Sequence, residues 1–512
     1  MIVPFSVNDF LHRALAVYGE RIGVVDEPDQ PAPGLGDLTY TDVGRHARAM
    51  AAKHDALGLG VGDRVAFVSH NSARLLTAFF GVCGYGRVLV PVNFRLSVDE
   101  VRYIVEHSGS SVVYVDPELK DALSDLPAEH VFVLGEDDDL YDFDAEPRAW
   151  EPDEEATATI NYTSGTTARP KGVQITHRNI WTNATTFGLH TQASDRDVYL
   201  HTLPMFHANG WGWPFVATGV GAQHIVLRKV DGTEILRRIE EYGVTVMCAA
   251  PAVVASVLDA APEWREKHGS IPGAARVRII VAGAPPPTKT VARVEEELGW
   301  EFIQIYGLTE TSPLLTVNRT RAEWDDLSAE ERAGKLTRAG QPALGCTISI
   351  GEEGEVLARS NTCLTGYWEQ PEETEASLRD GWFHTGDGGT VGDDGYLTIA
   401  DRKKDVIITG GENVSSIEVE DAIFSHPDVA EVAVIGVPDE KWGETIKALV
   451  VKAEGSDLTE QELIDHVKSK VARYKAPSSV EFRDVLDRTA TGKLQKFKLR
   501  APYWEGRERQ VN

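Results

Sequence analysis

The segment from Thr163 to Gly172, TSGTTARPKG, constrains this chain more than any other stretch of the sequence. It contains two glycines, four hydroxyl side chains, one proline and one lysine, so it cannot pack a hydrophobic core. Exposed backbone N–H groups and hydroxyls can bind a phosphate group, glycine permits close approach, and Lys171 adds positive charge. Pro170 before this lysine and Gly172 after it exclude the Walker pattern. Because Thr159 to Thr163 is typical of a strand, we predict a phosphate-binding loop at a strand end.

Length and composition predict a protein of at least two domains. Its 512 residues exceed what one hydrophobic core usually supports, and 42% apolar with 25% charged residues is ordinary for a globular protein. The net charge of −28 argues against nucleic acid and anionic membranes as partners. The four cysteines form no C-x-x-C pair, the N-terminus lacks a signal-peptide pattern, and no apolar run is long enough for a membrane span. We therefore expect a reduced, cytoplasmic protein without integral membrane association.

Residues 1–401 alternate strand-like and helical patterns. Short β-branched runs such as Arg64 to Ser69 and Val88 to Val92 are separated by helical segments such as Ala73 to Cys83. Another helix is predicted from Ser97 to His107, because Ser97 and Glu100 have the spacing of a capping box. This alternation predicts an α/β fold in which helices cover mostly parallel sheets.

Residues 402–512 have a different pattern, which predicts a smaller α+β domain. Helices are expected at Ser415 to His426 and Thr459 to Val471, with a strand at Val429 to Val437 between them. The boundary falls inside the charged segment DRKKD, which suits a hinge near Lys404 better than a core strand.

Four further motifs follow the phosphate loop. They are YGLTE at Tyr306 to Glu310, HTGD at His384 to Asp387, DRKKDVIITGGEN at Asp401 to Asn413, and TATGKLQK at Thr489 to Lys496. In this order and at these separations, the five motifs resemble the acyl-adenylate-forming superfamily, which includes acyl-CoA synthetases, luciferases and the adenylation domains of peptide synthetases. The resemblance covers nearly the whole chain. It implies a large N-terminal domain, a mobile C-terminal domain, and the use of ATP, Mg²⁺ and CoA to convert a carboxylic acid first to an acyl-adenylate and then to a thioester.

The resemblance assigns nucleotide-binding roles to individual residues. Tyr306 would lie against the adenine, Thr309 would contact the α-phosphate, Glu310 would hold Mg²⁺, and Asp387 would accept hydrogen bonds from the ribose hydroxyls. Arg402 would add a ribose or phosphate contact. The remaining predicted nucleotide contacts are Thr163, Ser164, Gly165, Thr166, Thr167, Lys171, Gly283, Ala284 and Pro285.

Two further assignments concern the C-terminal domain. Lys493, presented by a tight loop, would bridge the carboxylate and the α-phosphate during adenylation. The domain would then rotate about Lys404, bringing Gly410 and Gly411 beside the pantetheine arm of CoA. Many members of the superfamily have proline where this chain has Asp487, which would soften the lysine loop while leaving Lys493 in place.

The acid would bind between Leu203 to Trp213 and Val281 to Pro287, which match the pocket-lining segments of the superfamily. His207, included among the catalytic candidates with Lys493, Thr309 and Glu310, stands where amino-acid activators tend to carry an aspartate that pairs with the ammonium group. A histidine there disfavours an α-amino acid. The predicted apolar contacts and backbone neighbours of the acid are Trp211, Trp213, Phe215, Val216, Val281 and Gly307.

These assignments predict an AMP-forming acyl-CoA synthetase for an apolar monocarboxylate, with a medium-chain fatty acid as first choice. An aryl- or arylalkanoate–CoA ligase is one alternative, and an amide ligase that transfers the same adenylate to an amine is another. A carrier-dependent adenylation domain and a non-catalytic nucleotide sensor are further alternatives. The expected partners are the carboxylic acid and CoA, and a homodimer is compatible with all of these expectations.

Overall fold

The computed structural model describes residues 1–136, 140–163, 169–402, 405–409, 412–439, 442–488 and 494–505. Within these ranges the strands form four sheets, and strands and helices are numbered separately along the chain.

The first sheet has a parallel centre with antiparallel strands at both edges. Its order is β15-β14-β13-β12-β11-β9-β10-β1-β2. The strands are β1 (Ile22–Val25), β2 (Asp37–Thr39), β9 (Val198–His201), β10 (Gln223–Val226), β11 (Val246–Ala249), β12 (Arg278–Val281), β13 (Glu301–Gly307), β14 (Leu314–Asn318) and β15 (Gln341–Pro342). Strands from β1 to β13 in this order run parallel, whereas β2, β14 and β15 pair antiparallel. The apolar, largely β-branched central strands are buried, as expected of a sheet covered on both faces.

The second sheet is also mainly parallel but has antiparallel strands at one edge only, in the order β18-β8-β7-β4-β3-β5-β6. Its strands are β3 (Arg64–Val68), β4 (Val88–Val92), β5 (Ser110–Val115), β6 (His130–Val133), β7 (Thr157–Thr163), β8 (Lys171–Thr176) and β18 (Gly366–Tyr367). The five strands from β7 to β6 run parallel, and β8 returns antiparallel along β7.

Helices cover both sheets. In the described part of the chain, the helices that precede the third sheet are α1 (Asn8–Tyr18), α2 (Tyr40–Ala56), α3 (Ala73–Gly81), α4 (Val98–Ser108), α5 (His177–His190), α6 (Trp213–Val220), α7 (Gly232–Tyr242), α8 (Pro251–His268), α9 (Thr288–Arg293) and α10 (Ala329–Leu336). The predicted capping box is present at α4, where Ser97 accepts from the Glu100 N–H and the Glu100 side chain accepts from the Ser97 N–H. One continuous hydrophobic cluster joins the two sheets through α1, α3, α5 and α6.

Two smaller sheets complete the chain. The third contains β16 (Cys346–Ile350), β17 (Glu355–Ser360), β19 (Leu378–Arg379), β20 (Trp382–Val391) and β21 (Leu397–Arg402), and α11 (Pro371–Ser377) lies beside it in sequence. The fourth contains β22 (Ile407–Thr409), β23 (Glu412–Val414), β24 (Val429–Asp439), β25 (Gly443–Lys452) and β26 (Ser479–Phe482), with α12 (Ser416–Phe424), α13 (Glu460–Lys470) and α14 (Lys496–Arg500).

The α/β fold class with a separate C-terminal domain is confirmed. The predicted strand Val88 to Val92 has those bounds in the structure, and the helices predicted around residues 97–107, 415–426 and 459–471 are present. The domain boundary at residue 401 stays a prediction. None of the described helices combines the length and the apolar character that crossing a membrane requires.

Buried polar contacts join the carboxyl ends of the two large sheets. Asn71, which follows β3, donates through Nδ2 to the carbonyls of His201, Leu203 and Leu227 at 2.9, 3.0 and 3.2 Å. Asp116, which follows β5, forms a bidentate pair with Arg228, which follows β10, with both N–O distances at 2.8 Å. Because parallel strands of both sheets therefore end at one crevice, side chains that follow those strands are brought together there.

We expect Asp116→Ala to destabilise the N-terminal domain. Burial alone would raise the pKa of Asp116, but hydrogen bonds and charge from Arg228 outweigh it and hold the pKa below its ordinary value. Removing the carboxylate leaves Glu118, 38% exposed and 3.2 Å away, as the acidic partner of this buried guanidinium among the described residues. The free energy of unfolding should fall by about 3–5 kcal/mol. Thermal unfolding should show a lower midpoint. The double variant Asp116→Leu/Arg228→Met should recover part of the loss, and a parental midpoint in the single variant would contradict the role of the pair.

Candidate functional site

The phosphate loop is held at both ends by an antiparallel hairpin. Thr163 ends β7 and pairs with Lys171, which begins β8, so the predicted loop leaves the carboxyl end of a parallel strand. The N–H of Trp368 donates to the carbonyl of Gly172 at 2.7 Å, and Tyr103 Oη donates to the carbonyl of Pro170 at 3.4 Å. The hairpin therefore fixes the position of Lys171 relative to both β18 and α4.

Lys171 lies in a contact chain that ends at the predicted metal-binding carboxylate. Its amino group pairs with Glu373 of α11 and lies 5.2 Å from the centre of the Tyr367 ring. The Tyr367 hydroxyl donates to Glu310 Oε1 at 3.1 Å. Burial, with the nearby Glu310 charge, raises the pKa of Tyr367, so the hydroxyl stays protonated and can keep donating. The phosphate-loop lysine and the YGLTE carboxylate are thus brought together through an aromatic ring.

Thr309 and Glu310 lie on a short 3-10 turn whose position is fixed on both sides. The Leu364 N–H donates to the Glu310 carbonyl at 2.7 Å. Before the turn, Gly307 passes so close to the next segment that a Cβ there would lie 1.5 Å from the Pro313 carbonyl oxygen. Gly307 is therefore required by backbone packing, in addition to its predicted place beside the acid.

Tyr306 and Asp387 meet, as the two motifs that carry them would require. Tyr306 lies two residues beyond the parallel pairing of β13 with β12, which ends at Gln304, and its hydroxyl donates to Asp387 Oδ2 at 2.8 Å. The Asp387 side chain is buried on β20, and its backbone N–H donates to Thr385 Oγ1 at 3.1 Å. In the strand register Asp387 lies opposite Arg402 of β21, whose side chain is outside the described part of the structure. The tyrosine ring and the carboxylate thus form one edge of the same crevice.

The segment predicted to bind the acid contains a left-handed turn. Ala208, Asn209, Gly210 and Trp211 have φ of 37°, 48°, 55° and 53°, with ψ between 30° and 53°. This conformation costs roughly 1–2 kcal/mol for each residue that has a Cβ, so the surrounding structure has to impose it. His207, partly exposed, comes just before the turn, and the buried Trp211 ends it.

A buried polar cluster, formed by Thr159, Asn161 and Asn209, imposes the turn. Asn161 Nδ2 donates to Asn209 Oδ1 at 3.2 Å and to the Phe206 carbonyl at 3.1 Å. Asn209 Nδ2 donates to Thr159 Oγ1 at 2.9 Å, which in turn donates to Asn161 Oδ1 at 2.8 Å. Since Thr159 and Asn161 belong to β7, the strand that leads into the predicted phosphate loop also holds the segment predicted to bind the acid.

Behind the turn, two histidines form a neutral, structural pair. His201 Nε2 and His224 Nδ1 are 3.0 Å apart, and His224 Nε2 is 3.1 Å from Thr218 Oγ1. Because Thr218 donates its proton to the Pro214 carbonyl at 2.7 Å, it must accept from His224, and His224 Nδ1 must accept from His201. Burial lowers the pKa of His224 to about 3, so the pair carries no charge at neutral pH.

The other predicted acid contacts have mixed surroundings. Trp213 stacks on Tyr199 with ring centres 5.0 Å apart, and Phe215 packs against Phe10, Phe79 and Phe80, which are the surroundings of core residues. Val216 and Val281 are also buried, the latter in the cluster between the first sheet and its helices. In contrast, Gly283, Ala284 and Pro285 follow β12 and are exposed beside the crevice.

Several predicted residues lie outside the described residues: Ser164, Gly165, Thr166, Thr167, Lys404, Gly410, Gly411 and Lys493. The described residues beside them fix where the chain enters and leaves. Thr409 pairs with Glu412, and Arg488 pairs with Leu494, while the Gln495 N–H donates to the Asp487 carbonyl at 2.8 Å. The lysine loop is thus closed at its base, where Arg488 also pairs with Glu431 at 2.7 Å.

A cavity of about 660 Å³ lies elsewhere, beside Arg278, Glu301 and the helix α10. It is lined at the amino ends of β12 and β13, opposite the crevice. Among the charged side chains that line it, Arg332 pairs with Glu295, and Glu301 pairs with Arg319. The candidate functional site is therefore the crevice, where Tyr306 contacts Asp387 and where Tyr367 contacts both Lys171 and Glu310.

Sequence reasoning missed Tyr367, Glu373, Asn161 and Asn209. The two asparagines carried a usable signal. Asparagine is uncommon in strands, where Asn161 lies, and Asn209 precedes glycine in a segment that adopts positive φ. Glu373 lay in an ordinary acidic helix start, and its partner is 202 residues away in the sequence.

We expect the Thr159–Asn161–Asn209 cluster to control acid binding. Asn209→Ala removes two buried hydrogen bonds and places a residue poorly suited to positive φ in the turn, which should cost about 2–4 kcal/mol of stability and raise the KM for the acid. Asn209→Gly removes the same hydrogen bonds but accepts the backbone, so it should lose less stability. Calorimetric unfolding measures the loss of stability, and pyrophosphate release at varied acid concentration measures the KM for the acid. An unchanged KM for the acid in both variants would contradict this role.

Comparison with known proteins gives consistent matches along the chain. The family model described as AMP-binding enzyme matches residues 11–368, and the model described as AMP-binding enzyme C-terminal domain matches residues 418–493. A 4-hydroxybutyrate–CoA ligase of Metallosphaera sedula is 37% identical over 96% of this chain and 93% of its own length. A 2-methylpropanoate–CoA ligase of Humulus lupulus is 37% identical over 97% of this chain and 95% of its own.

A solved structure extends the match to three dimensions. The crystal structure of an anthranilate CoA ligase in complex with anthranoyl-AMP superposes with a TM-score of 0.87 at 26% identity, covering 98% of both chains.

Proposed function

This chain belongs to the AMP-binding enzyme family, and we propose that within the family it activates an apolar monocarboxylic acid, with a medium-chain fatty acid as the first choice. It is an AMP-forming acyl-CoA synthetase, a class to which its named CoA-ligase relatives also belong. The observation that supports a working site is the contact chain from Lys171 through Tyr367 to Glu310, because it joins residues of separate motifs at one crevice.

The first half-reaction joins two anions. A carboxylate oxygen of the acid attacks the α-phosphorus of ATP, the bond from that phosphorus to the bridging oxygen breaks, and pyrophosphate leaves with the electron pair. We propose that Lys171 and Thr163 hold the outer phosphates, Thr309 contacts the α-phosphate, and Asp387 holds the ribose while Tyr306 lies against the adenine. Positioning and charge stabilisation carry most of the catalysis in such phosphoryl chemistry.

The residues around Glu310 fit Mg²⁺ better than a transition metal. No group of three His, Cys, Asp or Glu side chains suited to a metal ion occurs among the described residues. A single carboxylate near a threonine hydroxyl leaves most of the coordination to phosphate oxygens and water, which is the usual arrangement for Mg²⁺. When bound, the ion would neutralise negative charge on the phosphates, and Tyr367 would orient the Glu310 carboxylate toward it.

The second half-reaction forms the thioester. The CoA thiol first gives up its proton to solvent. The thiolate sulfur attacks the acyl carbon, the bond from that carbon to the AMP oxygen breaks, and AMP leaves with the electron pair. We propose that a rotation near Lys404 exchanges Lys493 for Gly410 and Gly411 beside the adenylate, since one adenylate has room for only one of them. Arg402, opposite Asp387 in the strand register, would couple this hinge to the ribose site.

The side chains at the left-handed turn support a preference for acids without an α-amino group. His207 precedes this turn and Trp211 ends it, and the exposed Gly283 to Pro285 segment follows β12 beside the crevice. An ammonium group near an indole without an acidic partner would lose several kcal/mol of hydration, so we propose that α-amino acids are rejected. The named relatives act on 4-hydroxybutyrate and 2-methylpropanoate, which lack an α-amino group, and this supports the same direction. We further propose a cytoplasmic location, and a homodimer is compatible with it.

An acid panel scored by pyrophosphate release, with and without CoA, tests the proposal. We expect octanoate, 2-methylpropanoate or a phenylalkanoate to be faster than leucine or phenylalanine. Preference for an aryl acid or a phenylalkanoate over octanoate would select the aryl- or arylalkanoate-ligase alternative, and product formation with an added amine instead of CoA would select the amide ligase. Faster release with leucine or phenylalanine than with octanoate or a phenylalkanoate would contradict the apolar-acid proposal.

Lys493→Ala should lose adenylation but keep thioester formation from supplied acyl-adenylate. Loss of one preorganised cationic donor at the reacting phosphate costs about a hundredfold or more in rate. The matched control is Lys498→Ala, an exposed lysine of α14 whose removal makes the same charge change. Rapid-quench measurement of each half-reaction separates the two steps. Equal losses in both half-reactions would remove Lys493 from its proposed role.

A further inference from the structure

The phosphate-loop lysine has an internal anionic partner. The Lys171 side chain is only 19% exposed and pairs with Glu373, whose side chain is 45% exposed. The Tyr367 ring borders the same ammonium group. A carboxylate therefore occupies the side of Lys171 on which an anionic ligand could also bind.

The fold positions this carboxylate. Glu373 lies on α11, which begins at Pro371 and directly follows β18. The next residue, Thr374, accepts a hydrogen bond from the Tyr367 N–H at 2.9 Å and donates one to the Gln370 carbonyl at 2.9 Å. Because α11 is fastened to the strand that carries Tyr367, Glu373 is presented to Lys171 by backbone geometry as well as by charge attraction.

The local charge around Lys171 differs between the free site, where Glu373 is its anionic partner, and a site that also holds a polyphosphate. With Glu373 alone, the pair is neutral in a molecule of net charge −28. With a polyphosphate bound as well, a carboxylate and phosphate oxygens share one cation, and like charges at such separations repel unless a further cation intervenes. Because the Glu373 side chain is about half exposed, it can move away from Lys171 into water at a small cost in free energy.

We propose that Glu373 is a resident counterion of Lys171 that competes with the outer phosphates of ATP and with pyrophosphate, and so sets the affinity of the site for both. This inference rests on the proposed role of Lys171 in phosphate binding. In this account Glu373 weakens retention of pyrophosphate after adenylation, which favours release of that product. If Glu373 instead only orients the lysine, its removal would weaken phosphate binding.

The test compares Glu373→Gln with Glu372→Gln. Both remove one charge from α11, but Glu372 is an exposed neighbour one position away from the lysine partner. Calorimetric titration with magnesium pyrophosphate and with ATP, in the absence of an acid, measures binding without turnover. We expect Glu373→Gln to bind both ligands about fivefold more tightly than the parent, which is the largest change in affinity that a half-exposed ion pair normally produces. Glu372→Gln should bind both ligands like the parent.

Two further measurements distinguish the possible outcomes. High salt should shrink the difference between the parent and Glu373→Gln, because it screens the competing carboxylate. In the Lys171→Gln background, Glu373→Gln should add little, since the shared cation is gone. Weaker or unchanged binding by Glu373→Gln, or an equal gain in Glu372→Gln, would overturn the competition. Failure of the parent and both variants to bind either ligand would overturn the proposed nucleotide site itself, and this inference with it.

Discussion

The antiparallel pairing of Thr163 with Lys171 is the interaction on which the rest of the site depends. It returns the chain at the carboxyl end of a parallel strand and fixes one cation in a strongly anionic molecule. From that cation the contacts extend to Tyr367 and then to Glu310. The same strand, through Asn161, also holds the segment proposed to bind the acid. The proposed phosphate and acid subsites therefore share one structural framework.

Local sequence signals predicted much of the large domain. Buried parallel strands such as Val88 to Val92 are continuous apolar runs, and helix starts such as Ser97 carry their own capping residues, so each can be identified without knowledge of its neighbours. The antiparallel additions β14, β15 and β18 were not predicted, because two of them have only two residues and their pairing is decided by distant strands.

The candidate site likewise contains residues that local motifs predict and residues that only long-range contacts identify. Lys171, Tyr306, Glu310 and Asp387 could be assigned because each lies in a recognisable motif. Tyr367 and Glu373 could not, since their roles come from contacts with residues 57 and 202 positions away. Burial was equally hard to anticipate: Phe215 looks like a pocket residue beside Trp211, yet three phenylalanines from two other helices enclose it. Sequence identifies chemistry more readily than it identifies which face of an element meets which neighbour.

The left-handed turn from Ala208 to Trp211 limits how substrate preference can evolve. Pockets are commonly enlarged by exchanging a bulky residue for valine or isoleucine, but β-branched side chains are especially strained at positive φ. At Trp211, where φ is 53°, valine or isoleucine would be strained unless the conformation of the whole turn changed. Successful adaptation to other acids should therefore accumulate at ordinary right-handed positions such as Val216 in α6, or in the exposed segment after β12, where the backbone imposes no such filter. The strained turn thus limits which residues can occupy its own positions, so that substitutions that change the acid preference are expected at neighbouring positions.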